Sequence, residues 1–274
     1  MSRPALVAPQ DLTAPFVLMD CRAGAGTFAA GHLPGAIHAD LDRFLGAGLE
    51  PGADPARGGR HPLPDPAAWA RQLGAWGIVP GTWVVAYDGA SGGAGAARLW
   101  WMLRAFGHED VSVLDGGMAA ALEAGLPAPG VQPPPAPDYP EDRWLLPRAD
   151  IDLVDRLRLD PDWKILDVRA PERYRGETEP LDPVAGHIPG ALNLPWQRNL
   201  GPDGRMKPAR ELRELYQAFL GDTPRQRLVV HCGSGVTACH TLLALEAAGL
   251  GGAALYVGSW SEWCRSGRER ATGA

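Results

Sequence analysis

The sequence predicts an α/β fold in two domains, each with a parallel sheet flanked by helices. Two observations carry this prediction. Short runs that are apolar on both faces alternate with longer amphipathic segments, a pattern typical of parallel strands separated by helices. The same short motifs also recur in the same order in both halves of the chain. A length of 274 residues suits two domains of ordinary size.

The internal repeat consists of three pairs of similar segments, separated by about 150 residues each time. The pairs are residues 18–23 with 165–170, 31–36 with 186–191, and 84–89 with 228–233. The second pair is the clearest, because Gly-His-Leu-Pro-Gly-Ala in the first copy becomes Gly-His-Ile-Pro-Gly-Ala in the second. Three matches in one order are hard to obtain by chance, so we interpret the chain as a duplicated domain.

The stretch between the two copies is rich in proline, which can continue neither a helix nor a central strand. Such composition is typical of an extended, fairly stiff connection. We therefore predict a first domain over residues 1–127, a linker over 128–143 and a second domain over 144–274.

The apolar pattern places strands and helices within each copy. Strands are predicted at residues 16–19, 84–87, 111–114, 165–168, 228–231 and 254–257. Helices are predicted at residues 67–76, 94–106, 208–220 and 236–248. Most tryptophans and leucines of these segments are expected to form the two cores.

Composition and charge exclude several classes of partner. The formal net charge is −6 and no basic run occurs, which argues against nucleic acid or an anionic membrane surface. No segment reaches the length of apolar residues that a membrane helix needs, and the first residues do not resemble a secretory signal. The four cysteines include no Cys-x-x-Cys pair, so neither a zinc site nor a disulfide framework is expected. A reducing cytoplasm fits these features best.

The most informative loop directly follows the predicted strand at 228–231. It reads Cys-Gly-Ser-Gly-Val-Thr over residues 232–237 and leads into a predicted helix. Gly233 and Gly235 let the backbone turn tightly, and the helix N-terminus adds partial positive charge behind Cys232. Such surroundings favour a reactive thiolate. The alternative is a buried, unreactive cysteine at a strand end.

This loop resembles the active-site loop of the rhodanese superfamily, and of its 3-mercaptopyruvate sulfurtransferases in particular. Thiosulfate-preferring rhodaneses more usually carry basic residues directly after the cysteine. The resemblance extends over the whole chain, because tandem domains and a His-[Ile/Leu]-Pro-Gly-Ala element in each copy are also typical of the family. In the first copy Asp88 stands where the second has Cys232. The resemblance thus implies an inactive first domain, in which Asp88 would cap a helix.

The resemblance implies a sulfurtransferase that carries sulfur as a persulfide on Cys232 and needs no cofactor or metal. The donor would be a small anion, either 3-mercaptopyruvate or thiosulfate. The acceptor would be cyanide or a thiol, whether a small thiol or a thioredoxin-like protein. Gly233, Gly235, Val236 and Thr237 would contribute to binding the donor within the loop.

By motif position, Arg173 resembles the family's arginine for the donor carboxylate or sulfonate, and Arg175 is a neighbour that could add charge. The alternative for both is a solvent-facing pair that balances nearby glutamates. Mercaptopyruvate-specific members usually carry a second arginine after the following Glu-Pro, where this chain has Leu181 and Asp182. Asp182 would repel the donor if it pointed inward. The loop thus favours mercaptopyruvate, whereas this segment does not, and a thiosulfate-preferring rhodanese remains the alternative.

Ser234 is predicted to bind the donor or to relay a proton, as is proposed for the corresponding serine of mercaptopyruvate-type members. His32 could complete that relay across the domain interface. Because His187 occupies the equivalent place in the second copy, the alternative is that both histidines fix the turn before Pro-Gly.

Two other functions are compatible with a cysteine in such a loop or with this fold. A cysteine-dependent phosphatase also holds its cysteine in an anion-binding loop, but it needs an arginine at the sixth position after the cysteine, where this chain has Ala238. A non-catalytic binding module of the same fold would commonly lack the cysteine. Labelling Cys232 with a thiol reagent at neutral pH would separate the module from the enzyme.

Overall fold

The computed structural model describes residues 3–13, 15–46, 54–89, 93 and 95–273, which form two compact units. The first unit comprises Met1–Pro51, Pro64–Leu146 and Pro202–Met206. The second comprises Gly52–Leu63, Pro147–Gly201 and Lys207–Ala274. Over the residues described, no helix is both long and apolar enough to cross a membrane.

The first unit is built on a five-stranded parallel sheet in the order β1-β5-β4-β2-β3. Its strands are β1 (Leu6–Val7), β2 (Val17–Asp20), β3 (Ile37–His38), β4 (Val84–Tyr87) and β5 (Val111–Leu114). Its helices are α1 (Ala25–Ala30), α2 (Leu41–Phe44), α3 (Pro66–Ala75), α4 (Gly95–Ala105) and α5 (Gly117–Ala124). Every residue of β2, β4 and β5 is buried, as expected for strands covered on both faces.

The second unit repeats this topology, with the strand order β6-β10-β9-β7-β8. Its strands are β6 (Arg148–Ala149), β7 (Lys164–Asp167), β8 (Leu192–Asn193), β9 (Leu228–His231) and β10 (Ala254–Tyr256). Its helices are α6 (Ile151–Leu157), α7 (Pro171–Tyr174), α8 (Ala209–Leu220), α9 (Thr237–Ala247) and α10 (Ser259–Trp263). Trp260 and Trp263 of α10 are fully buried in the core of this unit.

The predicted α/β fold with two parallel sheets is confirmed. The predicted central strands and the four predicted helices lie within two residues of the observed ones, although Ala94, the predicted start of one helix, lies outside the described residues. The predicted strands did not include the two-residue strands β1, β3, β6 and β8 at or near the sheet edges. A strand of two residues is too short to show a pattern of apolar residues, so the sequence gives no signal for it.

The division of the chain differs from the predicted one in three places, of which the shortest is Pro202–Met206, a part of the first unit. The proline-rich stretch is extended as expected, but it is hydrogen-bonded along the first unit, for example from Val131 N to Phe16 O and from Ala136 N to Gly74 O. Tyr139 and Trp144 at its far end are buried. A second difference is that residues 54–63, which precede α3 in the sequence, belong to the second unit. This segment places two further side chains, those of Arg60 and His61, beside Gly233 and Ser234.

Candidate active site

Cys232 lies at the turn between β9 and α9, beyond the carboxyl end of a central strand. Its N–H donates to Ser259 Oγ at 3.2 Å, and its carbonyl accepts from Trp260 N at 3.0 Å. The next carbonyl, that of Gly233, accepts from Ser261 N at 2.8 Å. The cysteine loop is therefore fixed on both sides by the first turn of α10. Cys232 itself is only 2% exposed.

Gly235 makes the turn into α9 possible. Its φ is +75°, and a Cβ at this position would lie 2.5 Å from the carbonyl oxygen of Val257. No other residue type fits both the conformation and the close approach. Val236 is buried and forms the N-cap of α9, and Thr237 is its first residue. The partial positive charge of the helix N-terminus thus lies next to the cysteine loop.

Arg173 of α7 reaches the residue that follows the cysteine. Its two terminal nitrogens lie 3.4 and 3.5 Å from the point that a Cβ on Gly233 would occupy. Its Nη2 donates to Glu179 Oε1 at 2.6 Å, which holds the guanidinium in place. Arg175, by contrast, is directed at Glu177, with contacts of 2.7 and 2.9 Å in an exposed pair. The structure therefore brings Arg173, and not Arg175, to the loop.

Two residues that sequence reasoning did not single out complete the surroundings of the loop. Nδ1 of His61 lies 2.8 Å from Ser234 Oγ. Nη2 of Arg60 lies 3.4 Å from the same Cβ point on Gly233 that Arg173 approaches. Both come from the segment 54–63, which lies outside the repeated motifs. The Gly-Gly-Arg-His sequence at 58–61 is the only local signal, and it is a weak one.

The segment 54–63 is held against α10 largely by its backbone. Gly58 N donates to Glu262 Oε1 at 2.8 Å, and Arg60 N donates to Ser261 Oγ at 3.1 Å. Gly59 has a φ of +80°, and a Cβ there would lie 2.4 Å from the carbonyl oxygen of Gly258. The side chains of Arg60 and His61 are consequently placed by a close contact between two backbones.

Asp182 points inward but does not face the donor site as an isolated charge. Its side chain is fully buried and forms ion pairs with Arg60 and with Arg265, the latter at 2.8 Å. Nη2 of Arg173 is 3.8 Å away. The repulsion of an anionic donor by Asp182 stays a prediction, but these arginines compensate the charge on which it depends. Leu181, where a second arginine was sought, is 60% exposed.

His32 lies in the first unit, where its ring stacks on Phe28 at 3.9 Å between centroids and its Nδ1 is 3.0 Å from Phe28 O. His187 repeats this arrangement in the second unit, stacking on Tyr174 at 3.8 Å with its Nδ1 2.8 Å from Tyr174 O. The matching contacts favour the structural alternative for both residues. In the second unit the histidine beside Ser234 is His61.

Asp88 of the first unit occupies the position equivalent to Cys232. It is 1% exposed, and its Oδ2 accepts from the backbone N–H of Ala96 in the first turn of α4 at 3.2 Å. A carboxylate at a helix N-terminus stabilises the unpaired N–H groups there, in line with the predicted capping role.

A buried ion pair lies beneath the cysteine loop. Arg169 Nη2 donates to Asp167 Oδ2 at 2.6 Å, and both side chains are almost completely buried. Burial alone would lower the pKa of Arg169, but Asp167, Glu179 and, to a smaller extent, a charge on Cys232 raise it. His231 is also buried, and the desolvation lowers its pKa, so this ring is neutral at pH 7. Arg169, although paired with Asp167 and Glu179, is thus the buried cation that would interact with a charge on Cys232.

The candidate site consists of a cysteine, a histidine–serine pair and two arginines, a set suited to nucleophilic attack on the sulfur of a small anion. No cluster of His, Cys, Asp and Glu among the described residues could hold a metal ion. All five candidate side chains belong to the second unit.

Comparison with known proteins gives consistent matches over nearly the whole chain. The model of the rhodanese-like domain matches residues 6–124 and again residues 150–266. A probable 3-mercaptopyruvate sulfurtransferase of Pseudomonas aeruginosa is 46% identical over 90% of this chain and 86% of the relative. The human 3-mercaptopyruvate sulfurtransferase is 38% identical over 86% of this chain and 78% of the relative.

Relatives named for another activity match the chain over a similar share of its length. The thiosulfate sulfurtransferase of Bos taurus is 36% identical over 85% of this chain and 77% of the relative.

Among solved structures, the 3-mercaptopyruvate sulfurtransferase of Leishmania major superposes with a TM-score of 0.79 and 31% identity, covering 95% of this chain and 74% of that one. The chain belongs to the rhodanese family and contains two rhodanese-like domains.

Proposed function

We propose that this chain is a sulfurtransferase that carries sulfur as a persulfide on Cys232. The observation that carries the proposal is the convergence of His61, Arg60 and Arg173 on residues directly after Cys232. It is supported by relatives named as 3-mercaptopyruvate and thiosulfate sulfurtransferases, which are transferases of sulfur. The active unit is the second one, because the first has Asp88 in place of the cysteine.

The first half-reaction loads the cysteine. The Cys232 thiolate attacks the sulfur atom of 3-mercaptopyruvate, a sulfur–sulfur bond forms, and the bond between that sulfur and C3 breaks. The electron pair of the broken bond goes to C3, and the proton of the donor thiol ends on this carbon, which yields pyruvate. The enzyme keeps a deprotonated persulfide, so atoms and charge balance.

Ser234 and His61 supply a path for the proton. Because Ser234 Oγ and His61 Nδ1 are hydrogen-bonded at 2.8 Å, the hydroxyl can give its proton to the enolate while the imidazole passes on the donor's proton. Arg173 holds the donor carboxylate beside Gly233. In the second half-reaction an acceptor thiolate or cyanide attacks the outer sulfur and Cys232 leaves as a thiolate, which is a ping-pong sequence.

We favour 3-mercaptopyruvate over thiosulfate as the donor, because sulfite leaves without a proton and does not need the histidine–serine pair. Positive charge near the cysteine is nevertheless available for thiosulfate. The loop itself carries no cationic side chain, but Arg60 and Arg173 bring positive charge to the position directly after the cysteine. Thiosulfate therefore stays the second candidate.

The acceptor is proposed to be a small thiol, a thioredoxin-like protein or cyanide, in the cytoplasm. All four cysteines of the chain are free and buried, which suits a reducing compartment. An acceptor would reach the outer sulfur of the persulfide, because Cys232 itself is almost completely buried.

The test of Cys232 is intact-mass spectrometry after treatment with the donor. One added sulfur, about 32 Da, is expected in the wild type and absent in Cys232→Ser, which also loses turnover. Cys21→Ser, Cys239→Ser and Cys264→Ser are matched controls that keep both the added mass and the activity. Added mass that maps to Cys239 instead would contradict the assignment. Steady-state rates with 3-mercaptopyruvate and thiosulfate, measured side by side, decide the donor.

A further inference from the structure

We propose that Arg60 is the second residue that binds the anionic group of the donor, in place of the arginine that is absent at Leu181. The inference rests on the proposed sulfur transfer and extends it to the recognition of the donor. It predicts donors whose carboxylate or sulfonate lies within about three bonds of the transferred sulfur. The site would hold this group between two guanidinium groups from segments far apart in the sequence.

The geometry of Gly233 carries the first step of the argument. Nη2 of Arg60 and Nη2 of Arg173 each lie 3.4 Å from the point where a Cβ of Gly233 would stand. Two like charges this close repel each other unless anions lie between or behind them. Both side chains are partly buried, with 22% and 18% of their surface exposed. They are accessible to a small ligand but only weakly screened by water.

Each guanidinium is held from behind by its own carboxylate. Asp182 pairs with Nη1 of Arg60, so that Nη2 of the same group is the nitrogen directed at Gly233. Glu179 accepts from Nε and Nη2 of Arg173. A planar guanidinium has donors on more than one edge, so a carboxylate on one edge leaves others for a ligand. Asp182 and Glu179 are therefore positioning residues for the two arginines.

The ion pairs around the loop do not leave a simple excess of positive charge. The guanidinium groups joined by ion pairs belong to Arg60, Arg169, Arg173 and Arg265. Their carboxylate partners are Asp167, Glu179 and Asp182. A further carboxylate, that of Glu262, accepts from Gly58 N beside the same segment. In a chain of net charge −6, the attraction for an anionic donor would therefore depend on the two Nη2 groups that approach Gly233.

The absence of an arginine at position 181 follows from the same arrangement. Leu181 is exposed, whereas its neighbour Asp182 turns inward to Arg60. The segment that lacks the second cation supplies instead the carboxylate that holds a cation from residues 54–63. Arg60 would thus compensate for the missing arginine at position 181.

Alkylation of Cys232 tests the inference without any sulfur donor. Iodoacetate carries a carboxylate next to its reactive carbon, while iodoacetamide is neutral and of the same size. The ratio of their rate constants at Cys232, followed by peptide mass spectrometry, reports the local positive charge, because changes in thiolate content cancel in the ratio. Arg60→Gln is expected to lower this ratio about tenfold. The matched control Arg57→Gln, exposed in the same segment, leaves it unchanged.

A ratio that stays unchanged in folded Arg60→Gln would overturn the proposal. A wild-type ratio no higher than that of free mercaptoethanol would do the same, and it needs no variant. In steady state, Arg60→Gln should raise the KM for 3-mercaptopyruvate about tenfold with a smaller change in kcat, and Arg60→Lys should recover part of the loss. If the wild type transfers no sulfur, the proposed function fails while the alkylation ratio still tests the anion site.

Discussion

Gly59 is the position at which a small change should disable the site while leaving Cys232 and the loop itself untouched. It precedes Arg60 and His61, and it lies directly against the backbone of Gly258. The substitution Gly59→Ala adds a single methyl group. Its effect has two parts, a conformational cost in the segment itself and a displacement of the two side chains that follow.

The conformational cost comes from a φ of +80°, which an alanine adopts at a cost of about 1–2 kcal/mol. The displacement comes from the methyl group, which would lie 2.4 Å from Gly258 O and 2.7 Å from Ser261 Oγ. Ordinary contacts are about 3.5 Å, so the segment must withdraw by about 1 Å. A misplacement of this size can cost about a hundredfold in rate when it moves catalytic groups.

Gly81→Ala is the matched control, because Gly81 has a φ of +86° and nothing within 4 Å of its Cβ position. It isolates the conformational cost. Both variants should melt at lower temperature than the wild type, but only Gly59→Ala should lose donor kcat/KM, by about tenfold to a hundredfold. Thermal melting and steady-state transfer from 3-mercaptopyruvate measure the two effects.

A folded Gly59→Ala variant that kept the kcat/KM of the wild type would contradict the role given to residues 54–63. A Gly81→Ala variant that lost as much activity as Gly59→Ala would contradict it equally. In the first case residues 54–63 would be a passive covering of the loop. In the second, the loss would reflect general destabilisation and not the position of Arg60 and His61.

Three further predictions concern the loop, its arginine and the pH dependence of stability. Arg173→Ala should raise the donor KM about tenfold to a hundredfold, since a charged hydrogen bond contributes about 1.5–3 kcal/mol. The exposed control Arg175→Ala should change the KM by no more than about twofold, and equal effects of the two variants would contradict the geometry. Ser234→Ala should lower kcat with 3-mercaptopyruvate but spare thiosulfate, and an equal loss with both donors would exclude the proton path. Burial lowers the pKa of His231 and His187 in the folded chain. Below the unfolded pKa of about 6.5, the unfolded chain therefore takes up protons on these two histidines more readily than the folded chain, and folding stability falls. The urea concentration at the midpoint of unfolding should be lower at about pH 5.5 than at about pH 7.5.

The central strands and long helices could be predicted because the spacing of their apolar residues shows which faces are buried. Residues 84–87, 111–114 and 228–231 are apolar on both faces, and the structure places strands at these same residues. Cys232 could be predicted for a related reason, since a cysteine between a buried strand and Gly-Ser-Gly occupies a recognisable turn. These features are local, so a short window of sequence contains them.

Arg60 and His61 could not be predicted in this way, because their position depends on tertiary contacts of a segment without periodicity. The internal repeat even pointed elsewhere, to His32, which the structure holds against Phe28 in the first unit. What brings His61 to Ser234 is the close approach of Gly59 to Gly258, about 200 residues later in the chain. Neither glycine alone indicates the other as its partner.

These contacts also bear on how donor preference arises in this chain. A cationic side chain at position 233 would occupy space that Arg60 and Arg173 already approach to within 3.4 Å. Glycine at this position therefore allows both guanidinium groups to approach the residue after Cys232. In the proposed mechanism residues 60 and 173 would carry the charge for an anionic donor, and position 234 would be left for a hydroxyl that can handle a proton. The positive charge and the proton path would then not compete for the same loop positions. We therefore expect a donor that needs both an anion-binding site and a proton, as 3-mercaptopyruvate does.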